Sequence, residues 1–138
     1  MARQAFNRIT DYYPGITASP DLSAKQYYTV YLASSSQVTL PDGSASEQPL
    51  GILQNEPGSG MTAQVAYRQG DICKALFYNT CAVTYWQPLF VDSSGRVIRM
   101  YTAACPYFAR ALVSSTGSGV IPILLTGINT LTTASNLA

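Results

Sequence analysis

A chain of 138 residues without a single histidine has few routes to catalysis. Serine triads and most proton shuttles at neutral pH depend on imidazole, so both are excluded. Seven carboxylates, three cysteines and two glycine-rich loops remain. Paired carboxylates can do acid–base work, but Asp42, Glu56, Asp71 and Asp92 stand in Gly- or Pro-bearing turns, where their side chains cap backbone amides. A cysteine nucleophile needs an activating base, and none neighbours Cys73, Cys81 or Cys105. The three lack the CxxC spacing and the histidines of a zinc site. They read as small buried hydrophobes in a reducing compartment, with a Cys73–Cys81 disulfide as the alternative. Gly58-Ser59-Gly60 and Gly117-Ser118-Gly119 lack the Lys-Ser/Thr that completes a phosphate-binding loop. The expectation is a protein that is no enzyme and holds no metal or cofactor.

Binding is the remaining class of function. Charged residues make up 11% of the chain, and 27 Ser and Thr supply a neutral polar surface in their place. An ordinary soluble domain carries about 25% charge. Ten tyrosines add amphipathic rings that suit protein interfaces. The net charge of +1 is spread over eight scattered basic residues, which argues against nucleic acid. Tyr67-Arg68 and Arg99-Met100-Tyr101 are the nearest cases of interleaved rings and cations. Apolar runs such as Val120–Leu125 are far short of a membrane span. Met1–Ile9 lacks the apolar core of a signal peptide, so synthesis in a cytoplasm is expected. Tyr85, Trp86 and Tyr101 could serve as stacking platforms for a sugar, so a carbohydrate-binding β-module is the second functional reading.

The elements that must position these residues are short strands. Pro49–Gly70 reads as a hairpin: a short apolar strand at Pro49–Gln54, a turn cluster at Asn55–Gly60 and a returning strand at Thr62–Tyr67. Gln26–Ala33, Gln37–Leu40, Ile72–Tyr78, Cys81–Trp86, Gln87–Val91, Arg96–Tyr101, Tyr107–Val113 and Val120–Leu125 are further strands, separated by Gly, Pro, Asn, Asp and Ser. Pro122 inside the last favours an edge or a bulge. Turns every 8–12 residues predict an all-β fold, a compact β-barrel or β-sandwich of short antiparallel strands, over residues 23–127. Residues 128–138 form a tail. Residues 1–22 show no strand or helix period yet are apolar. They read as an extended N-terminal arm that ties the subunit to a neighbour or to a shell, with Arg3, Phe6, Arg8, Ile9, Tyr12 and Tyr13 as anchors; the alternative is a segment folded back over its own barrel. On that reading, deleting residues 2–16 leaves the β-domain folded.

Three segments carry a family resemblance: PLGILQNEPGSGMTAQVAY (Pro49–Tyr67), QPLFVDSSGRVIRM (Gln87–Met100) and YFARALVSSTGSGVIPILLTG (Tyr107–Gly127). Their order resembles the small decoration, or cement, proteins of tailed-phage capsids. The shared pattern is a G-I/V-L-Q-N-x-P-x-x-G hairpin, a G-D turn, a D-x-x-G-x-V hairpin and an A-x-A-L finish leading into an I-x-V-L-L strand. Here Gly70-Asp71 comes earlier than the G-D turn of that pattern, and Trp86-Gln87-Pro88 stands in its usual place. The resemblance implies a non-catalytic virion protein on the outer capsid surface, often a homotrimer, that stabilises the shell by bridging major capsid proteins.

Overall fold

A computed structural model describes residues 8–41, 49–78, 83–92, 94–99 and 106–130, and every regular element among them is a strand. These are β1 (Thr17–Ala18), β2 (Thr29–Ser34), β3 (Gln37–Thr39), β4 (Gly51–Leu53), β5 (Val65–Ala66), β6 (Ile72–Phe77), β7 (Pro88–Val91), β8 (Val97–Arg99), β9 (Pro106–Ala111) and β10 (Gly119–Thr130). The first five form a sheet in the order β1-β3-β2-β4-β5, and the last five close into a barrel in the order β10-β6-β8-β7-β9. The all-β expectation holds. Not every pair is antiparallel: β1 runs parallel to β3, and β6 to β8. Neither pair needs a helical crossover, because β2 and β7 carry the chain back in between.

Alternation builds the barrel core. β6 turns Cys73, Ala75 and Phe77 inward, and β10 packs Ile121, Ile123 and Leu125 against them. The β4–β5 hairpin is instead buried on both faces. Ile52 and Ala66 belong to the barrel core. Leu53 and Val65 belong to a second core with Ile16, Leu22, Val30 and Val38. This is why Leu50–Leu53 reads as an unbroken apolar run: the hairpin is a wall between two cores. Its loop is held by Asn55, whose amide donates to the Thr62 carbonyl (3.0 Å) and accepts from the Gln64 N–H (2.9 Å). Gly51 lies so close to β5 that a Cβ there would run into the Ala66 carbonyl oxygen. Gly51→Ala should therefore cost about 1–3 kcal/mol, the usual penalty for overpacking, read as a lower urea midpoint.

The D-x-x-G hairpin joins β7 to β8. The Asp92 carboxylate accepts from the N–H groups of Ser94 (2.8 Å) and Arg96 (2.9 Å) and from the Arg96 guanidinium (3.0 Å). Gly95, at φ 96°, then lets its carbonyl accept from Thr29 N–H at 2.7 Å, so the barrel's turn docks on β2 of the other sheet. Tyr27 makes a second tie. Its N–H donates to Leu53 and its carbonyl accepts from Leu76 N–H, which requires a φ of 74°. That left-handed residue is why β2 starts at Thr29 and not at Gln26.

Three other boundaries differ from the sequence reading. Of the predicted strand Cys81–Trp86, Cys81 and Ala82 lie outside the described residues, while Val83 makes only a lone bridge to Ser115 and Thr84–Gln87 is a turn, so Val83–Trp86 is not a strand. β10 runs on to Thr130, past a register shift near Gly127 (φ 75°), into the expected tail. Pro122 sits on neither an edge nor a bulge, since β10 is flanked by β6 and β9. Its carbonyl accepts from Leu112 N–H just past the end of β9, so its missing donor faces the point where that ladder stops.

Of the three cysteines, Cys81 and Cys105 lie outside the described residues, while Cys73 is a fully buried free thiol. Burial, with the nearby Asp71 charge acting the same way, pushes its pKa from 9.0 up to about 12. The unfolded thiol ionises near pH 9 while the folded one stays protonated. Its contribution to stability is therefore intact below pH 9 and is lost as pH rises toward 12. In native protein near neutral pH, iodoacetamide should leave Cys73 unmodified on a timescale at which the urea-unfolded chain reacts fully; mass spectrometry reads the difference.

Candidate functional site

Of the six predicted anchors, Arg3 and Phe6 lie outside the described residues. The other four lie on a strap that is part of the domain. Residues 8–18 run antiparallel along residues 62–72, through bridges Arg8–Ile72, Tyr12–Ala66 and Thr17–Thr62. Ile9 packs on the barrel core, and Tyr13 packs on the second core with its ring edge-on to Tyr67 at 5.0 Å. Arg8 and Tyr12 face solvent. Beyond them Ile16, Ala18 and Leu22 are buried. The free arm expected over residues 1–22 is thus corrected from Arg8 onward: its irregular apolar residues fill the protein's own cores.

Asp71 is the latch of this strap. Buried itself, it accepts from the Thr10 N–H (2.9 Å) and the Thr10 hydroxyl (2.8 Å). Sequence reasoning saw a turn aspartate here, because its partner is 61 residues away. Asp71→Ala would leave the Thr10 donors without their acceptor at a loss of about 1–3 kcal/mol, visible as a lowered melting temperature.

A second feature lies at the opposite side of β9. Thr84–Gln87 is a tight turn closed by Gln87 N–H to the Thr84 carbonyl (3.1 Å) and by the Thr84 hydroxyl to the buried Gln87 side chain (2.9 Å). Trp86 occupies its third position at φ 73°, where glycine is the usual residue. A bulky residue held there stores on the order of 1–3 kcal/mol of strain. Trp86 N–H donates to the Ala111 carbonyl (2.7 Å), which fixes the turn on β9. The rings of Tyr85 (62% exposed) and Trp86 (40% exposed) meet at 6.0 Å with a 36° tilt. Arg110 on β9 completes the corner: its guanidinium donates to the Trp86 carbonyl (2.8 Å) and the Tyr107 hydroxyl (3.3 Å), and lies 5.3 and 5.1 Å from those two rings.

Tyr85 and Trp86 are two of the three residues singled out as stacking platforms; Tyr101 lies outside the described residues. Arg110 was missed, since only the fold carries it across to Trp86. Among the described residues no three Cys, Asp or Glu side chains gather into a metal-binding group. The corner thus combines two exposed rings, a pinned cation and a strained backbone.

No protein family model matches the chain, and no curated protein matches its sequence. Among solved structures, the chain is similar to the head fiber gp8.5 N base in bacteriophage phi29, at a TM-score of 0.50 and 7% identity, over 80% of this chain and 90% of that one. The likeness is one of fold.

Proposed function

We propose that this protein is a structural component of a phage virion, a decoration protein on the outer surface of the head that stabilises the shell by bridging major capsid proteins. The observation that carries the reading is the fold shared with the base of a phi29 head fiber, extending over most of both chains. The turn and strand-ending pattern resembling capsid decoration proteins points the same way, and so does the low-charge, Tyr-rich composition. Closely packed copies on a shell repel one another little when each carries a net charge near zero. Strand edges are also protected: five strands close into a barrel and the strap runs beside β5, so the protein offers little invitation to edge-to-edge aggregation.

On this reading the protein does no chemistry, needs no cofactor and contacts neither nucleic acid nor membrane. It acts as a homotrimer, so that several modest contacts add up through avidity. Arg3 and Phe6, ahead of the strap, are assigned to partner contacts, together with the solvent-facing Arg8 and Tyr12. The test is to add the purified protein to heads that lack it and follow thermal release of DNA. Saturable attachment with a higher release temperature is the expected result. Heads that take up no protein and release DNA at an unchanged temperature would overturn the reading.

A further inference from the structure

The outer wall of a barrel in water is expected to be polar, since inward positions carry the apolar residues. Three adjacent strands break that rule. Register sets their outward side chains in rows. Leu76 lies opposite Val120, which is 47% exposed. Lys74 lies opposite Pro122, beside Leu112. Ile72 lies opposite Leu124, and Leu124 opposite Arg110, which reaches Trp86. Six of these eight outward positions on β6, β10 and the end of β9 are apolar, and the alternating burial confirms that they face away from the core. Val120 is exposed and the other five are half-buried, and apolar rows left partly open to water on an outer wall mark interaction surfaces.

We propose that this face, with the Tyr85–Trp86 corner at its margin, is the surface that docks on an apolar, carboxylate-bearing patch of another protein; on the decoration reading, from which that partner is taken, it is a capsid subunit. Two observations select the partner's chemistry. The charged residues in these rows are both cations, Lys74 and Arg110, and Arg110 has no carboxylate partner among the described residues. Two copies of this chain meeting through the same face would bring together cations with no carboxylate from these rows to pair them, so the occupant is a different chain that brings acidic groups. The corner supplies anchors at the edge of this face. Trp, Tyr and Arg are the residues that dominate binding energy, and these are held in place by the turn and by the guanidinium bond before any partner arrives.

The test uses the full-length protein and heads lacking it, with binding measured by co-sedimentation. Trp86→Gly removes the ring at a backbone position where glycine is unstrained, and Arg110→Glu reverses the cation, with Arg110→Ala in reserve should the reversal lower the melting temperature. Met61→Ala, at a 62% exposed site beside the other sheet, is the control. We expect at least a tenfold loss of affinity for W86G and for R110E, wild-type affinity for M61A, and a weaker salt dependence for R110A than for wild type. If wild type attaches and W86G and R110E attach equally well, the decoration reading stands and this face is not its docking surface. If wild type does not attach, the decoration reading fails and the assignment falls with it. If W86G abolishes a hit on a glycan array while head binding is unchanged, the corner is a sugar site and the proposal is overturned.

Discussion

A chain lacking residues 2–18 should fail to fold. That segment supplies strands of backbone pairing to both halves of the molecule: Arg8 and Ile72 exchange two hydrogen bonds (2.7 and 3.0 Å), Tyr13 N–H donates to Val65, Ala63 N–H to Ile16, and Ala18 and residues 60–61 exchange two more. Each contributes about 0.5–1.5 kcal/mol net. Burial of Ile16 adds about 1.5–3 kcal/mol, and the loss exposes Leu53, Val65 and Val38 beneath it. The sum is of the order of the whole stability of a small domain, roughly 5–15 kcal/mol. Removing residues 2–7 alone should leave the cooperative transition in place. Circular dichroism and urea titration of the two truncations separate them. A folded 19–138 chain with a near-normal midpoint would mean that the strap is an appendage after all.

Ile52→Ala should lower stability by about 2–5 kcal/mol, the range for emptying a buried aliphatic site. Its side chain is fully buried in the barrel core, while its neighbour Leu53 is fully buried in the other. Because one hairpin serves both cores, and Gly95 and Tyr27 add further ties between the sheets, the two halves should melt together. Trp86 fluorescence reports the barrel and far-UV circular dichroism reports all strands. Coincident urea midpoints for the two probes, shifted together by I52A, are expected. Separate midpoints would show two independent units.

Much of this architecture could be read from local chemistry. Leu50–Leu53 followed by Asn55–Gly60 announced the central hairpin, and Asp92–Gly95 announced the β7–β8 turn, because in both the residues that make the turn are its own neighbours. What could not be read depends on distant partners or on conformations against type. The strap lacks a period because Pro14-Gly15 interrupts it and its apolar residues pass from one core, at Ile9, to the other, at Tyr13, Ile16 and Ala18. Asp71 latches Thr10, a partner 61 residues away in sequence. Tyr27 and Trp86 adopt positive φ without a glycine to signal it. At the candidate site, the exposed Tyr85–Trp86 pair was visible in sequence, whereas its link to Arg110 and the apolar wall beyond required the register of β9 on β10.

The proposal that this protein sits on the outside of a phage head is tested most directly by cryo-electron microscopy of intact virions. The predicted result is density for the two-sheet domain on the outer shell, in contact with more than one major capsid subunit. Its absence from the shell surface, or its presence only in the tail or as free protein beside undecorated heads, would contradict the account.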